Sequence, residues 1–92
     1  MSIIEAGLAV ADLEGWVPAE DGKSISKSFE FEDFKQAWAF MSACADKAEE
    51  MDHHPNWSNV YNVVDVALMT HDAGGVTEKD MKLARYMNEV SG

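Results

Sequence analysis

The hydrophobic period changes twice along the chain, which limits the fold to one with a long helix between two pairs of strands. From Asp33 to Asp52, apolar residues recur at steps of three and four, which predicts one long amphipathic helix. Pro55 disfavours helical geometry at His54, so we expect the helix to end near Asp52 or His53. The predicted apolar stripe comprises Phe34, Ala37, Trp38, Met41, Cys44, Ala45, Ala48 and Met51.

On both sides of this helix the period falls to two, which is typical of half-buried β-strands. Before the helix, residues 23–31 alternate apolar and polar side chains, and the preceding turn Asp21-Gly22 predicts a hairpin with residues 16–18. After the helix, residues 57–70 are rich in Val and include Tyr61. They predict two further strands, with a hairpin turn or bulge near Asn62.

Two shorter helices are predicted at the ends of the chain. Ser2 and Glu5 have capping-box spacing, and Gly15 is placed to end the helix that they begin. Thr77 is expected to cap the last helix, with Asp80 three residues on. The expected apolar positions are Ile4, Leu8 and Ala11 in the first helix, and Leu83, Ala84, Met87 and Val90 in the last.

The predicted order is therefore helix, two strands, helix, two strands, helix. This order indicates an α+β fold in which residues 1–92 form a single domain. Helices cover one face of a four-stranded antiparallel sheet, as a two-layer sandwich. A chain of 92 residues buries only about two-thirds of its unfolded surface. A second subunit is expected to cover the other face of the sheet.

Charge and cysteine content exclude several classes of protein. The 7 basic and 17 acidic side chains give a formal net charge of −10, which argues against direct binding to nucleic acid or anionic membranes. The single cysteine, Cys44, excludes an internal disulfide and a cysteine-based zinc site. The chain shows no targeting segment and no apolar run of about 20 residues. We therefore expect a cytoplasmic protein.

The three histidines are the side chains best suited to chemistry. His53 and His54 fall where the long helix should end, and His71 falls where the last strand should end. Imidazole has an ordinary pKa of about 6.5 and transfers protons near neutrality. Several carboxylates that could fix its tautomer are close in sequence, namely Glu49, Glu50, Asp52 and Asp72. The alternative is that these histidines are ordinary surface loop residues.

Other chemistries have weaker support. A three-histidine zinc site is a known catalytic arrangement, but adjacent His53 and His54 point in divergent directions and cannot easily reach one ion. Cys44 lies on the apolar stripe of the long helix, where a small buried hydrophobe is expected. Trp57 follows the histidine pair closely, and its ring could pack against a flat ligand. A place in the hydrophobic core explains a Trp at this position equally well.

Three motifs at fixed distances carry a specific resemblance. His53-His54-Pro55 is followed by Asn59-Val60-Tyr61-Asn62, and Thr70-His71-Asp72 lies downstream. Together they resemble the signature of the pterin-4a-carbinolamine dehydratases, also called 4a-hydroxytetrahydrobiopterin dehydratases. The resemblance covers nearly the whole chain and extends to Leu13, Trp16, Phe29 to Phe34, Ala37, Phe40, Met41, Gly75, Thr77, Asp80, Leu83 and Ala84.

The resemblance implies an enzyme that dehydrates 4a-hydroxytetrahydrobiopterin to quinonoid dihydropterin and water. This reaction recycles tetrahydrobiopterin for aromatic amino-acid hydroxylases such as phenylalanine hydroxylase. The family has the α+β fold described above and assembles as homodimers or homotetramers. It uses no metal, and we expect no cofactor because the pterin is the substrate.

The resemblance also implies roles for individual residues. The catalytic histidines fall on His53, His54 and His71, and we expect His53 and His71 to exchange protons with the substrate while His54 holds it. Glu49, one helical turn before His53, is expected to orient that ring, with a solvated helix carboxylate as the alternative. The remaining expected substrate-binding or supporting residues are Asp80, which could also partner Thr77 in a helix cap, Trp57, Thr70 and Pro55.

A binding role is the main alternative function. Animal members of the family act as a dimerisation cofactor of a homeodomain transcription factor, and an acidic chain in that role would need a protein partner. The three histidines favour catalysis, since a scaffold does not require them. A zinc hydrolase is a third and weaker interpretation.

Overall fold

The computed structural model describes residues 2–92 and has the predicted order of elements. A single 3₁₀ turn at Val10–Asp12 follows the first helix, and a loop joins the last strand to the last helix. The helices are α1 (Ala6–Ala9), α2 (Phe34–Met51) and α3 (Glu78–Ser91), and the strands are β1 (Val17–Pro18), β2 (Ile25–Glu30), β3 (Asn56–Val60) and β4 (Val63–Leu68).

The four strands form one antiparallel sheet in the order β1-β2-β4-β3. Both predicted hairpins are present, and β2 pairs with β4 in the centre, with Phe29 opposite Val64. The second hairpin turns tightly at Tyr61-Asn62, where Tyr61 has a φ of 51°. The backbone N–H of Phe31 donates to the carbonyl of Asn62 at 2.8 Å, which ties this turn to the end of β2.

The helices pack on one face of the sheet, so the α+β fold is as predicted. In β4 the side chains of Val64, Val66 and Leu68 are buried, whereas Asp65 between them is exposed. The other face of the sheet carries polar side chains, namely Ser26, Ser28, Glu30, Asn56, Ser58 and Asp65, and apolar ones, namely Val17, Val60, Val63 and Ala67. The expected cover of this face by a second subunit stays a prediction.

α2 begins and ends as predicted, but part of its apolar stripe is exposed. Asp33 caps its first turn by accepting the N–H of Gln36 at 2.9 Å. Phe34 and Trp38, which were expected in the core, are 46% and 58% exposed, and Phe40 is buried instead. The apolar stripe is wider than the surface that the sheet and α3 cover. No helix within residues 2–92 has the length and hydropathy needed to cross a membrane.

The terminal helices differ from the prediction in detail. The cap of α1 is Glu5 itself, whose carboxylate accepts the N–H of Gly7 at 3.0 Å, so the expected capping box with Ser2 is wrong. The buried side of α1 is formed by alanines, and Leu8 is 71% exposed. In α3 the stripe is buried as expected except at Val90, which is 40% exposed.

The two phenylalanines of α2 provide a test of this packing. Phe40 contacts the rings of Phe29 and Phe31, with centroids 4.7 Å and 5.0 Å away. Phe40→Ala should therefore lower the free energy of unfolding by about 3–5 kcal/mol. The exposed Phe34→Ala should lower it by less than about 1 kcal/mol. Urea unfolding followed by circular dichroism measures both, and equal losses would show that the core is placed wrongly.

Candidate active site

The three histidines meet in a cavity of about 230 Å³ where three elements end. His53 and His54 follow the C-terminus of α2, His71 follows β4, and the first turn of α3 closes the cavity. The lining residues are Asp52, His53, His54, Met69, Thr70, His71, Asp72 and Lys79. The structure thus brings together all three histidines that the sequence singled out.

A backbone reversal at Asp52 separates the adjacent histidines. Asp52 has left-handed geometry (φ 52°, ψ 43°), and the N–H of His53 donates to the carbonyl of Ala48 at 2.9 Å. This is the hydrogen-bonding pattern of a helix C-terminus that closes on itself. His53 consequently turns inward and is 8% exposed, while His54 lies at the surface.

The buried carboxylate of Asp80 holds His53 in place. Asp80 is fully buried, and its Oδ1 lies 2.6 Å from Nε2 of His53. Its Oδ2 accepts the hydroxyl of Thr70 at 2.8 Å and the backbone N–H of Thr77 at 2.9 Å. The predicted roles of Asp80 in the cap of α3 and beside a histidine are therefore both present. One carboxylate joins the ends of α2 and β4 to the start of α3.

The hydrogen bond to Asp80 fixes which nitrogen of His53 can meet a ligand. An ionised carboxylate only accepts hydrogen bonds, so Nε2 of His53 must carry the proton. Within residues 2–92, Nδ1 has no hydrogen-bond partner. Every fully buried side-chain nitrogen in this range has a partner, so Nδ1 is not among the fully buried atoms. Nδ1 is therefore exposed to the cavity and is available to accept a proton.

Glu49 pairs with His54, not with His53 as expected. Its Oε2 lies 2.6 Å from Nε2 of His54, and both side chains are exposed. The reason is the reversal at Asp52, which sends His53 toward Asp80 and leaves His54 above the last turn of α2. An exposed pair of this kind contributes about 0–1 kcal/mol to stability.

His71 is the least constrained of the three rings. It lies in the turn between Thr70 and Gly75, where the N–H of Thr70 donates to the carbonyl of Gly75 at 2.8 Å. Gly74 supplies the positive φ of 75° that this turn requires. The imidazole is exposed and makes no side-chain hydrogen bond to another residue within 2–92. A ligand could therefore engage either of its nitrogens.

Four expected residues do not line the cavity, namely Asp80 and Glu49, which bond to the histidines, and Trp57 and Pro55. Trp57 packs against the core from β3, and Pro55 lies between His54 and that strand. Trp57 instead borders a larger concavity of about 530 Å³ on the open face of the sheet. That concavity is lined by no histidine, so we place the candidate chemistry in the smaller cavity.

Sequence reasoning missed Met69 and Lys79 as lining residues. Lys79 precedes Asp80 in the first turn of α3, and Met69 precedes Thr70 at the end of β4. Their positions next to expected site residues were the only available signal. Asp52 and Asp72, two of the carboxylates that the sequence places near the histidines, both line the cavity.

Cys44 is not part of the site. It is fully buried on α2, and burial raises the pKa of its thiol to about 12, which makes it a poor nucleophile. Its expected role as a buried hydrophobe is confirmed. In the described part of the chain, no three His, Cys, Asp or Glu side chains converge as ligands of a metal ion.

Comparison with known proteins identifies the family. The sequence model described as "Pterin 4 alpha carbinolamine dehydratase" matches residues 2–90. The chain belongs to this family. A relative from Sinorhizobium medicae (strain WSM419) is 58% identical over 79 residues, which are 86% of this chain and 75% of the relative. One from Mesorhizobium japonicum is 57% identical over 84 residues, 91% of this chain and 86% of the relative. Both are provisionally named pterin-4-alpha-carbinolamine dehydratase.

Two solved structures share the fold of this pterin dehydratase family member. A transcriptional coactivator/pterin dehydratase from Brucella melitensis has a TM-score of 0.93 and 46% identity, and the match covers 100% of this chain and 98% of the other. A pterin dehydratase-like protein identified as a RuBisCO assembly factor in the alpha-carboxysome has a TM-score of 0.74 and 24% identity. That match covers 86% of this chain and 92% of the other, and it supports the fold alone.

The two histidine–carboxylate pairs differ in burial, and stability measurements should separate them. Asp80→Asn removes the charge that accepts three buried donors, so it should lower the free energy of unfolding by roughly 2–4 kcal/mol. The matched change Glu49→Gln affects an exposed pair and should cost less than about 1 kcal/mol. Chemical unfolding of both variants is the measurement. A near-neutral Asp80→Asn would contradict the buried network.

Proposed function

We propose that this family member is a 4a-hydroxytetrahydropterin dehydratase that uses histidine acid–base catalysis. The observation that carries the proposal is His53, which hydrogen-bonds the buried Asp80 through Nε2 and leaves Nδ1 free in the cavity. A second free imidazole, that of His71, lines the same cavity. Family membership supplies the substrate class.

The reaction requires two proton transfers. The bond between C4a and its hydroxyl oxygen breaks, and the oxygen leaves as water after it gains a proton from a general acid. The neighbouring N5 loses its proton to a general base, and the electron pair of the N5–H bond forms the C=N bond of the quinonoid dihydropterin. Each positioned acid or base contributes typically 10²–10⁴-fold to the rate. Two imidazoles in one cavity are suited to these roles.

We assign the base to His53 and the acid to His71. Nδ1 of His53 has a free lone pair, and the adjacent Asp80 carboxylate stabilises the imidazolium that forms when Nδ1 takes the proton from N5. His71 is exposed to water, and as the general acid it gives a proton to the hydroxyl that leaves from C4a. His54, paired with Glu49, holds the substrate at the rim of the cavity.

The wider assignments follow from the family. We infer that the reaction recycles tetrahydrobiopterin for aromatic amino-acid hydroxylases such as phenylalanine hydroxylase. We also infer that the enzyme works in the cytoplasm as a homodimer or homotetramer, with the pterin as substrate and no separate cofactor. The exposed Phe34–Trp38 stack on α2, with ring centroids 6.3 Å apart, provides an apolar surface for such an assembly.

A protein-binding role is the second candidate. The Brucella melitensis structure is named as a transcriptional coactivator as well as a pterin dehydratase. The same exposed stack on α2 would suit a protein partner, and the net charge of −10 argues against direct contact with DNA. Such a role would tolerate replacement of all three histidines, whereas catalysis would not.

Histidine variants test the proposal. The rate of dehydration of chemically generated 4a-hydroxytetrahydropterin is measured after subtraction of the rate without protein. His53→Ala and His71→Ala should lower kcat by about 10²–10⁴-fold, because each removes one proton transfer. His54→Ala should raise KM more than it lowers kcat, because it removes a substrate contact.

Glu50→Gln is the control, because its carboxylate lies in the same last turns of α2 and pairs with Lys47 outside the cavity. It should match the wild type, and circular dichroism should show that every variant is folded. The proposal fails if the three folded histidine variants all retain the turnover of the wild type.

A further inference from the structure

The buried polar side chains of the described chain, residues 2–92, all belong to one network. They are His53, Asp80, Thr70 and Thr77, which are between 0% and 8% exposed. The chemistry described above uses His53 and Asp80, and Thr70 lines the cavity. Thr77 is 2% exposed and is not among the lining residues. Its hydroxyl therefore needs another explanation.

The capping of α3 does not by itself explain a buried threonine. Thr77 is the N-cap residue of α3, and its backbone N–H donates to Oδ2 of Asp80 at 2.9 Å. The N-cap residues of the other two α-helices, Glu5 and Asp33, are both exposed to water. A capping side chain needs no burial, and a buried hydroxyl is costly unless it is hydrogen-bonded. The burial of Thr77 therefore points to a hydrogen-bond partner in the interior.

That partner is the hydroxyl of Thr70. The two hydroxyl oxygens lie 2.7 Å apart, and the Thr70 hydroxyl donates to Oδ2 of Asp80 at 2.8 Å. An ionised carboxylate only accepts hydrogen bonds, so the one proton of the Thr70 hydroxyl points to Asp80. The oxygen of Thr70 then accepts the hydroxyl proton of Thr77. The donors of this chain of hydroxyls consequently all point one way, from Thr77 to Thr70 to Asp80.

The chain of hydroxyls fixes the orientation of the Asp80 carboxylate. Oδ2 accepts from the hydroxyl of Thr70 and from the backbone N–H of Thr77, and two donors on one oxygen oppose rotation of the carboxylate. The other oxygen, Oδ1, is thereby held 2.6 Å from Nε2 of His53. Hydrogen bonds that follow one another in a low dielectric also strengthen each other. The hydroxyl of Thr77 is therefore linked to His53 through two intermediate groups.

Resting on the proposed function, we propose that Thr77 is a positioning residue for the dehydration. Its hydroxyl keeps the Thr70 hydroxyl on Asp80, and Asp80 in turn holds His53 with Nε2 protonated and Nδ1 toward the cavity. In the proposed mechanism, Nδ1 of His53 takes the proton from N5 of the substrate. A carboxylate that can rotate lowers the fraction of molecules in which this base is ready, although Thr77 itself does not touch the substrate.

Valine and serine at position 77 separate the hydroxyl from the shape of the side chain. Thr77→Val keeps the shape, and it should lower kcat by about 5–10-fold because a hydrogen bond that supports the charged Asp80 is lost. KM should stay within about twofold of the wild type, because Thr77 lies outside the cavity. Thr77→Ser keeps the hydroxyl and should retain most of kcat. If it loses as much as Thr77→Val, packing explains the effect and the inference is wrong.

A double-mutant cycle shows whether Thr77 acts through Thr70. Thr70→Val should lower kcat by about 10–100-fold, because the charged Asp80 loses a direct donor. In that background, Thr77→Val should cause no further fall in kcat, because the link is already broken. Effects that multiply in the double variant would overturn the inference. Asp33→Ala, which removes the exposed cap of α2, is the matched control and should lower the melting temperature without changing kcat.

The tautomer of His53 provides a readout that does not depend on activity. In two-bond ¹H–¹⁵N correlation spectra, Thr77→Val should convert the Nε2-protonated ring of the wild type to a mixture of tautomers, and Thr77→Ser should not. An active wild type whose kcat and His53 tautomer are both unchanged in Thr77→Val refutes only the inference. A wild type that does not dehydrate 4a-hydroxytetrahydropterin refutes the proposed function. A tautomer that still changes in such a protein would support the link from Thr77 to His53.

Discussion

The buried carboxylate of Asp80 is the group on which the site depends. It accepts hydrogen bonds from a ring at the end of α2, a hydroxyl at the end of β4 and a backbone amide at the start of α3. A buried charge is costly unless it is fully hydrogen-bonded, so these three donors must stay in place for the fold to be stable. The same constraint that stabilises the junction also orients His53.

The geometry of the junction distributes the histidines among different environments. Left-handed backbone at Asp52 sends His53 inward to Asp80 and His54 outward to Glu49, although the two residues are adjacent. His71 arrives from a separate turn and stays free of side-chain partners within residues 2–92. One imidazole is therefore fixed and one can exchange protons with water, and our proposal for two coupled proton transfers rests on this difference.

Local sequence signals predicted the helices and strands, but they did not predict the contacts between elements that are distant in the sequence. Periodicity and Pro55 placed α2 correctly, because these signals act within one turn of the chain. The burial of Phe40 in place of Trp38 depends on how far the sheet extends under α2, which no local pattern contains. The sequence did not predict the pairing of Glu49 with His54 for a similar reason, because this pairing follows from the backbone reversal at Asp52.

In the proposed mechanism, Asp80 holds His53 with its Nε2 protonated and its Nδ1 available to the substrate. Two-bond ¹H–¹⁵N correlation spectra of ¹⁵N-labelled protein report the protonation of each ring nitrogen directly. We predict that Nε2 of His53 carries a proton above neutral pH, where His71 shows the mixed tautomers of a free imidazole. A deprotonated Nε2 in His53, or a tautomer mixture equal to that of His71, would show that Asp80 does not fix the tautomer of His53.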